Sequence, residues 1–387
     1  MKASRQVGKS VLMESVVLKI ALEKPRSQSY YLSPTLKQSR KVFKEIKSAI
    51  QDTSVCLKVN ESVLEIVLCN GSVITFLSAE QKDSLRGYTA SGCLVIDECA
   101  FISDDVINDV LPYIDANKSP LFLISTPFFK SGAFYEYFTD GQSKTNPYIV
   151  SFDWSKYDKS DILSPERLEF YRKKMPKNKF LNEYMGEFTE LGMGIFGDVR
   201  GILNNEPEIS STDFVFGIDW GTGGGSDSTV ITIFNTNKQM VDIVAFNDLD
   251  ETQTIERIIG LVKQYSPIKI QVETNSIGQV FYGLLQKALQ KLPYNRLSDK
   301  PRTQLIGFNM NNESKNKLVN KFQVAVQNKE VTILDNEELL KQMTNFVSKL
   351  TNNNKVTYAA RNNYHDDYII SMMLSYDCLN KGNYAVY

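Results

Sequence analysis

Two short, uninterrupted apolar segments constrain the fold most strongly. Residues 93–96 read Cys-Leu-Val-Ile, and residues 121–124 read Leu-Phe-Leu-Ile. Runs of this kind are typical of strands that are buried on both faces at the centre of a parallel sheet. Because parallel strands need long, usually helical, crossover connections, the first half of the chain is predicted to be an α/β domain.

The rest of the chain predicts a second α/β domain after a glycine-punctuated linker. The first half adds a helix at 9–23, a strand at 29–33, a hairpin of strands 63–68 and 73–77 around Asn70-Gly71, and a helix at 165–174. The second half begins with a strand at 214–220 and an antiparallel pair at 230–234 and 240–246. It continues with helix 252–265, strand 269–272, helix 277–290, strand 303–306, helix 313–327 and a last helix at 367–379. We therefore predict domains at 1–190 and 213–387, with the linker at 191–212.

Composition narrows the functional classes. The 387 residues suffice for two domains, and 42% hydrophobic with 23% charged residues is typical of soluble proteins. Neither a signal peptide nor an apolar run of membrane length is present, so no membrane role is expected. The net charge of −1 requires that any DNA contact come from local basic patches. Five cysteines without metal-binding spacing favour a reduced intracellular setting, and the single histidine, His365, argues against a Ser-His-Asp triad or a multi-histidine zinc site.

Residues 3–10, Ala-Ser-Arg-Gln-Val-Gly-Lys-Ser, have the pattern of a phosphate-binding Walker A loop, with alanine at the first glycine position. Gly8 lets backbone amides approach phosphate oxygens, Lys9 reaches the terminal phosphates, and Ser10 can hold Mg²⁺. Taken alone, Gly-Lys-Ser is more often an ordinary helix start.

Two further segments favour a nucleotide site. Asp97 and Glu98 directly follow the apolar run 93–96, as in a Walker B strand, so Asp97 is predicted to reach Mg²⁺ and Glu98 to orient the attacking water. Ser125 and Thr126 follow the run 121–124, at the carboxyl end where open α/β sheets bind ligands. The alternative is that each strand ends in an ordinary polar turn, but three segments in this order favour NTP hydrolysis.

The loop begins at residue 3, so the strand that ordinarily precedes a P-loop, and the base-contacting segment upstream of it, are not found in this sequence. We expect a RecA/ASCE-like domain that lacks its first strand, which would leave apolar sheet edges exposed. The corresponding expectation is that nucleotide binding by this chain is impaired.

Four carboxylates in the second half predict a metal-dependent site. Asp219 ends one predicted strand, Glu273 ends another, and Asp366 and Asp367 begin the last helix. Two-metal hydrolysis of phosphodiesters needs hard oxygen ligands from separate elements, and a buried carboxylate cluster needs cations such as Mg²⁺ or Mn²⁺. Each acid alone is more often a turn residue or a helix cap.

Two neighbouring residues have open interpretations. Asp227, in the glycine-rich loop after Asp219, is equally an accessory ligand or part of a flexible connection. His365 is a proton carrier, a phosphate contact or simply a residue that leads into the helix.

These segments together resemble the large terminase subunit of tailed bacteriophages. Residues 4–10 are similar to the variant Walker A of that family, including the arginine before the glycine, and Leu85-Arg86-Gly87 precedes residues 96–101 as it does there. Residues 125–127 match the motif that couples hydrolysis to movement. Residues 216–219, 272–273 and 365–367 match the three acidic motifs of the RNase H-like nuclease.

The resemblance implies a packaging enzyme that moves concatemeric double-stranded DNA into a procapsid with ATP and cleaves it with Mg²⁺ or Mn²⁺. It implies that Arg5 contacts or senses phosphate, within a nucleotide loop that also contains Gln6. It further implies a ring oligomer on the procapsid, with the portal protein and the small terminase subunit as partners, in the host cytoplasm.

Three rival interpretations share part of this pattern. A helicase-like translocase has the first site but ordinarily a second motor domain, and a RuvC-like resolvase or transposase has the second site without Walker motifs. An inactive or nuclease-only prophage remnant, retained for DNA binding or interaction, is the non-enzymatic alternative. DNA contacts are expected from Lys173, Lys174, Lys177 and Lys179, and from Lys315, Lys317 and Lys321, although such runs are more often solvated faces.

Overall fold

The chain forms two compact units in this computed structural model. Residues 1–85, 87–144, 146–155, 163–191, 194–209, 213–221, 228–292, 303–351, 355–361 and 364–381 are described. Unit 1 comprises Met1–Arg172, Lys177–Leu191 and Leu350–Lys355, and unit 2 comprises Lys173–Pro176, Gly192–Lys349 and Val356–Tyr387.

Unit 1 is built around a mainly parallel sheet with helices on its faces. Its elements are α1 (Lys9–Glu23), β1 (Gln28–Ser33), α2 (Leu36–Ile50), β2 (Cys56–Asn60), β3 (Glu65–Leu68), β4 (Val73–Ser78), β5 (Leu94–Asp97), α3 (Asp104–Val110), β6 (Leu121–Ile124), α4 (Ala133–Ser143), α5 (Pro165–Lys174) and α6 (Lys177–Phe180). Among the described strands the order is β2-β3-β4-β1-β5-β6. β1 is parallel to β4 and β5, and β5 is parallel to β6. Apolar side chains of α1 and α2 bury one face of this sheet.

The two apolar runs that constrain the fold take different positions in the sheet. Every residue of β5 is buried, as predicted for a central strand. β6 instead ends the order of the described strands, and Leu121, Phe122 and Leu123 are only half-buried. An apolar run shows that a strand faces apolar neighbours, but its place in the order depends on long-range pairing.

Unit 2 contains a mixed sheet of five described strands in the order β11-β10-β7-β8-β9. Its elements are β7 (Phe214–Asp219), β8 (Thr229–Asn235), β9 (Met240–Phe246), α7 (Glu251–Tyr265), β10 (Lys269–Glu273), α8 (Ile277–Gln290), β11 (Gln304–Phe308), α9 (Asn312–Gln327), α10 (Glu337–Asn345), β12 (Phe346–Leu350), β13 (Val356–Ala360) and α11 (Asp367–Leu379). β7 is parallel to β10 and antiparallel to β8, and β8 and β9 form the antiparallel pair that the sequence predicts. β12 and β13 form a separate pair.

Small residues bring the last helix directly onto the central strand of unit 2. Ser371 and Ser375 of α11 donate hydrogen bonds to the carbonyls of Gly217 and Val215 in β7, at 2.9 and 3.2 Å. A Cβ on Gly217 would lie 2.2 Å from the Ser371 carbonyl oxygen. The order of these two hydrogen bonds shows that α11 runs antiparallel to β7, so the first residues of the helix lie beside the carboxyl end of the strand.

Gly217→Ala should therefore force α11 away from β7. We expect a loss of about 3 kcal/mol in the free energy of unfolding, because the added methyl group meets backbone atoms of the helix. Gly260→Ala is the matched control, since Gly260 lies inside α7 with open space at its Cβ position. That substitution should be neutral or stabilise by about 0.5–1 kcal/mol. Urea unfolding followed by circular dichroism measures both changes, and equal stability of the two variants would contradict the close approach.

Candidate functional site

The residues of the predicted P-loop form a tight turn at the start of α1. Gly8 is the N-cap of α1 with a left-handed backbone (φ 81°), and Gln6 is also left-handed (φ 64°). The Ala3 amide donates to the Ser125 carbonyl (3.1 Å), which places the start of the loop beside the end of β6. The amino end of α1 thus presents backbone amides, a favourable environment for an anion.

Lys9 and Glu98 form an ion pair at the centre of this turn. Lys9 Nζ lies 2.8 Å from Glu98 Oε1, and the lysine side chain is only 9% exposed. Glu98 follows β5 in a left-handed conformation (φ 49°). Its other oxygen accepts from the Ser125 hydroxyl (3.3 Å) and the Thr126 amide (3.4 Å). The structure therefore connects three sequence-predicted segments through one carboxylate.

Asp97 is held by two hydroxyl groups. Its Oδ2 accepts from Ser10 Oγ (3.0 Å) and from the hydroxyl of buried Tyr31 (2.9 Å). Burial, and then the charge of Glu98, raise the pKa of Asp97, while the two hydroxyls act in the opposite direction. Sequence reasoning missed Tyr31, because a tyrosine inside the apolar strand β1 gives no sign of its partner 66 residues away.

A cavity of about 780 Å³ opens onto these groups, and Arg5, Lys9, Gln38, Glu98 and Thr126 are among the residues that line it. The Arg5 side chain is 60% exposed and lies 3.2 Å from the Glu183 carboxylate. Such a volume is within the range of nucleotide-sized ligand sites. The cavity is therefore lined by an exposed arginine and by the buried Lys9.

In unit 2 the four predicted carboxylates meet at one end of the sheet. Asp219 ends β7, Glu273 ends the neighbouring parallel strand β10, and Asp366 is the N-cap of α11. Asp367, the first residue of that helix, accepts from the Ser228 amide through Oδ2 (3.3 Å). Parallel neighbours and the seating of α11 on β7 bring together acids that are 148 positions apart in the sequence.

The end of β10 is held by contacts that sequence reasoning did not find. Trp220 Nε1 donates to the Glu273 carbonyl (2.8 Å), and its ring stacks on Phe281 at 4.7 Å between centroids. A Cβ on Gly278 would lie 2.5 Å from the same carbonyl oxygen, so the glycine lets α8 begin against it. These contacts fix the backbone from which the Glu273 side chain projects.

Burial and, after it, mutual repulsion determine the electrostatics of this cluster. Burial raises the pKa of Asp219 well above its ordinary value, and the charges of Glu273, Asp367 and Asp366 raise it further. The Asp219 and Glu273 carboxyl groups also hydrogen bond to each other, which raises the pKa of Asp219 and lowers that of Glu273. Burial raises the pKa of Glu273, although the hydrogen bond to Asp219 and the charge of Lys315 lower it. A cation bound at these carboxylates would offset both the burial and the repulsion.

The donor chemistry fits a divalent metal ion, because carboxylate oxygens are the ligands that Mg²⁺ and Mn²⁺ prefer. As they stand, no three Asp, Glu, His or Cys side chains among the described residues are grouped so as to hold an ion. Asp219 is hydrogen-bonded to Glu273, and Asp366 is paired with Lys315 at 2.9 Å. Asp219, Glu273 and one or both of Asp366 and Asp367 would hold the metal after these bonds are exchanged.

Several other sequence-predicted residues can now be placed. His365 is exposed beside Asp366. Lys315 and Lys321 are ion-paired with Asp366 and Asp377, at the cap and inside α11, whereas Lys317 pairs with a glutamate on its own helix. Asp227 and Arg86 lie outside the described residues, so their predicted roles stay predictions.

Comparison with known proteins identifies the family. The family model described as "Terminase large subunit, T4likevirus-type, N-terminal" matches residues 1–198, and the one described as "Terminase RNaseH-like domain" matches residues 216–378. The chain belongs to the terminase large-subunit family. It is 21% identical to the large terminase subunit of Thermus virus P23-45, over 96% of this chain and 82% of that protein.

Solved structures agree with this assignment at the level of the fold. The large terminase of a thermophilic bacteriophage is 13% identical, with a TM-score of 0.55 over 97% of this chain and 92% of that one. A second structure of the same terminase, in complex with ATP-γ-S, gives a TM-score of 0.52 over 98% and 93% of the two chains. The predicted family resemblance and the predicted fold class, an ATPase domain followed by an RNase H-like domain, are thereby confirmed.

The raised pKa of Asp219 leads to a prediction about the metal-free protein. A carboxyl whose pKa is higher in the folded state favours folding while it is protonated, so this contribution is lost as pH rises from the ordinary aspartate value through the folded pKa. Asp219→Asn removes the ionisable group and should raise Tm at pH 7.5 by roughly 2–6 °C. The gain should shrink towards pH 4.

Thermal scans in EDTA between pH 4 and pH 8 measure this effect, with exposed Asp335→Asn as the control. A lower Tm for Asp219→Asn at pH 7.5 would show that the Asp219 carboxylate is not under repulsive strain.

Proposed function

We propose that this chain is the motor and nuclease of a phage DNA-packaging machine, which hydrolyses ATP to move concatemeric double-stranded DNA into a procapsid and cleaves that DNA. The observation that supports the proposal is the presence of two strand-end acid sites in one chain of this family. Asp97 and Glu98 lie beside the P-loop of unit 1, and Asp219 and Glu273 lie beside α11 in unit 2. A helicase-like translocase needs the first site alone, and a resolvase needs the second alone.

In the nucleotide site, we assign Lys9 and Ser10 to the phosphates and Mg²⁺ of Mg-ATP, with Asp97 helping to hold the ion. Lys9 neutralises Glu98 in the structure. When phosphate oxygens take over the ammonium group, Glu98 is released to orient water and accept its proton. The complex of the thermophilic-phage terminase with ATP-γ-S supports ATP as the nucleotide.

The surrounding residues have secondary roles in this proposal. Arg5, Gln6 and the Gly8 amide contact phosphate at the mouth of the site. Ser125 and Thr126 directly follow β6 and donate hydrogen bonds to Glu98 in the structure. We assign to them the coupling of the nucleotide state to the end of β6. Because one carboxylate joins them to Lys9, a change at the phosphates alters their hydrogen bonds directly.

Lys9→Ala should abolish ATP hydrolysis, with a reduction of about 100-fold or more, because it removes both the phosphate contact and the partner of Glu98. Steady-state phosphate release in the presence of duplex DNA measures the effect. The control is Lys19→Ala, which removes an exposed lysine from the same helix and should leave the rate unchanged. If the unaltered chain hydrolyses ATP, equal rates for the Lys9 and Lys19 variants would refute the assignment. If none of the three hydrolyses ATP, the expected impairment of nucleotide binding holds for this chain.

In the nuclease site, Asp219, Glu273 and one or both of Asp366 and Asp367 are the proposed ligands of Mg²⁺ or Mn²⁺. Bound divalent ions would polarise the scissile phosphate and make water a better nucleophile. The pKa of Asp219 is raised by burial and by its neighbours, and a metal ligand must be deprotonated, so metal uptake should strengthen as pH rises. Rigid backbone supports the geometry, because Trp220 fixes the end of β10 and α11 is seated on β7.

Asp219→Asn and Glu273→Gln should each reduce cleavage of duplex DNA by about 100-fold or more, since each removes a charged ligand while keeping the side-chain shape. Conversion of a supercoiled plasmid with Mg²⁺ or Mn²⁺ measures the rate, and Asp335→Asn is the control. Because Asp219→Asn is predicted to stabilise the fold, a loss of activity in that variant cannot be attributed to unfolding. Undiminished cleavage by Asp219→Asn would show that the metal assignment is wrong.

The remaining parts of the proposal follow from the family. We propose an ATPase domain at 1–190, a linker at 191–212 and a nuclease domain at 213–387. We also propose that the chain forms a ring on the procapsid with the portal protein and the small terminase subunit, in the host cytoplasm. No helix within the described residues is long and apolar enough to cross a membrane.

A further inference from the structure

Lys315 is ion-paired with one of the four carboxylates, Asp366. It lies in the first turns of α9, a helix that begins at the capping residue Asn311. Its Nζ is 2.9 Å from Asp366 Oδ2, and its side chain is only 20% exposed. The ammonium group also lies 5.6 Å from the centre of the Phe346 ring, which restricts it on a second side.

The charge of Lys315 acts on more than its direct partner. It lowers the pKa of Glu273, whereas the charge of Asp366 raises the pKa of both Glu273 and Asp219. Lys315 therefore offsets the same repulsion that a divalent ion at these carboxylates would offset. The two cations act on one set of oxygens, so they compete.

We propose that Lys315 is a built-in counter-ion that regulates metal loading of the nuclease. In the metal-free protein its ammonium group neutralises Asp366 and keeps that carboxylate out of the metal site. Lys315 must withdraw from Asp366 before this side chain can serve as a ligand. The lysine thereby raises the divalent-ion concentration at which the nuclease becomes competent. This inference rests on the proposed nuclease function.

A second ion pair between the same two helices provides a control that distinguishes this regulatory role from a purely structural one. Lys321 of α9 lies 2.6 Å from Asp377 Oδ1 of α11, and Asp377 also accepts from Gln271 and pairs with Lys381. Both lysines thus join α9 to α11, but Asp377 is not among the four carboxylates. A purely structural role for Lys315 predicts the same consequences for the loss of either lysine.

The test is direct Mn²⁺ binding to the full 387-residue chain without nucleotide, by isothermal titration calorimetry. Asp219→Asn, titrated in parallel, defines the heat that does not come from the nuclease site. Lys315→Met should bind Mn²⁺ roughly three- to tenfold more tightly than the unaltered chain, as expected for removal of one part-buried competing charge. Lys321→Met should bind as the unaltered chain does, and Lys315→Arg, which keeps the charge, should remain within about twofold of it.

The Mn²⁺ concentration that gives half-maximal plasmid cleavage should shift in the same direction for Lys315→Met. If that variant does not fold, Lys315→Gln gives the same comparison with a polar side chain in place. Unchanged or weaker Mn²⁺ binding by the neutral Lys315 variants, beside normal binding by the unaltered chain, would overturn the inference and leave the nuclease function intact. Absence of both Mn²⁺ binding and cleavage in the unaltered chain would overturn the nuclease function and this inference together.

Discussion

The burial of several carboxylates close to one another is the constraint on which both sites depend. A buried acid without a cation is costly, so it takes up a proton or pairs with a positive side chain. Both solutions occur here. Glu98 is paired with Lys9, Asp366 is paired with Lys315, and Asp219 carries a raised pKa. In each site a lysine of the chain therefore offsets part of the negative charge.

The two sites share one feature, an ion pair between a lysine and an acid. In each, a lysine is paired with an acid to which the proposed function gives a role. Under that proposal, phosphates bound at Lys9, or a cation bound near Lys315, would replace one partner of these ion pairs. Ligand binding would then be coupled to a rearrangement of the ion pairs.

The main contribution of the strands and helices is to position the acidic side chains. Parallel strands end at the same edge of a sheet, so β7 and β10 present Asp219 and Glu273 side by side. The short side chains at Gly217, Ser371 and Ser375 let α11 lie on β7 and bring its acidic first turn to that edge. In unit 1 the same principle places the Glu98 carboxylate between the P-loop and the end of β6.

The sequence by itself determined the local elements and the order of the motifs, and it indicated a chemical type for each site, because apolar periodicity and strand-end acids are local signals. It predicted α1, the antiparallel pair β8–β9 and the bounds of α11 closely. Only the tertiary structure decided that β6 ends the described strand order, that Tyr31 binds Asp97 and that Lys315 pairs with Asp366. The two side-chain contacts join residues that are 66 and 51 positions apart. The local sequence around a buried charge does not indicate which distant side chain will pack beside it.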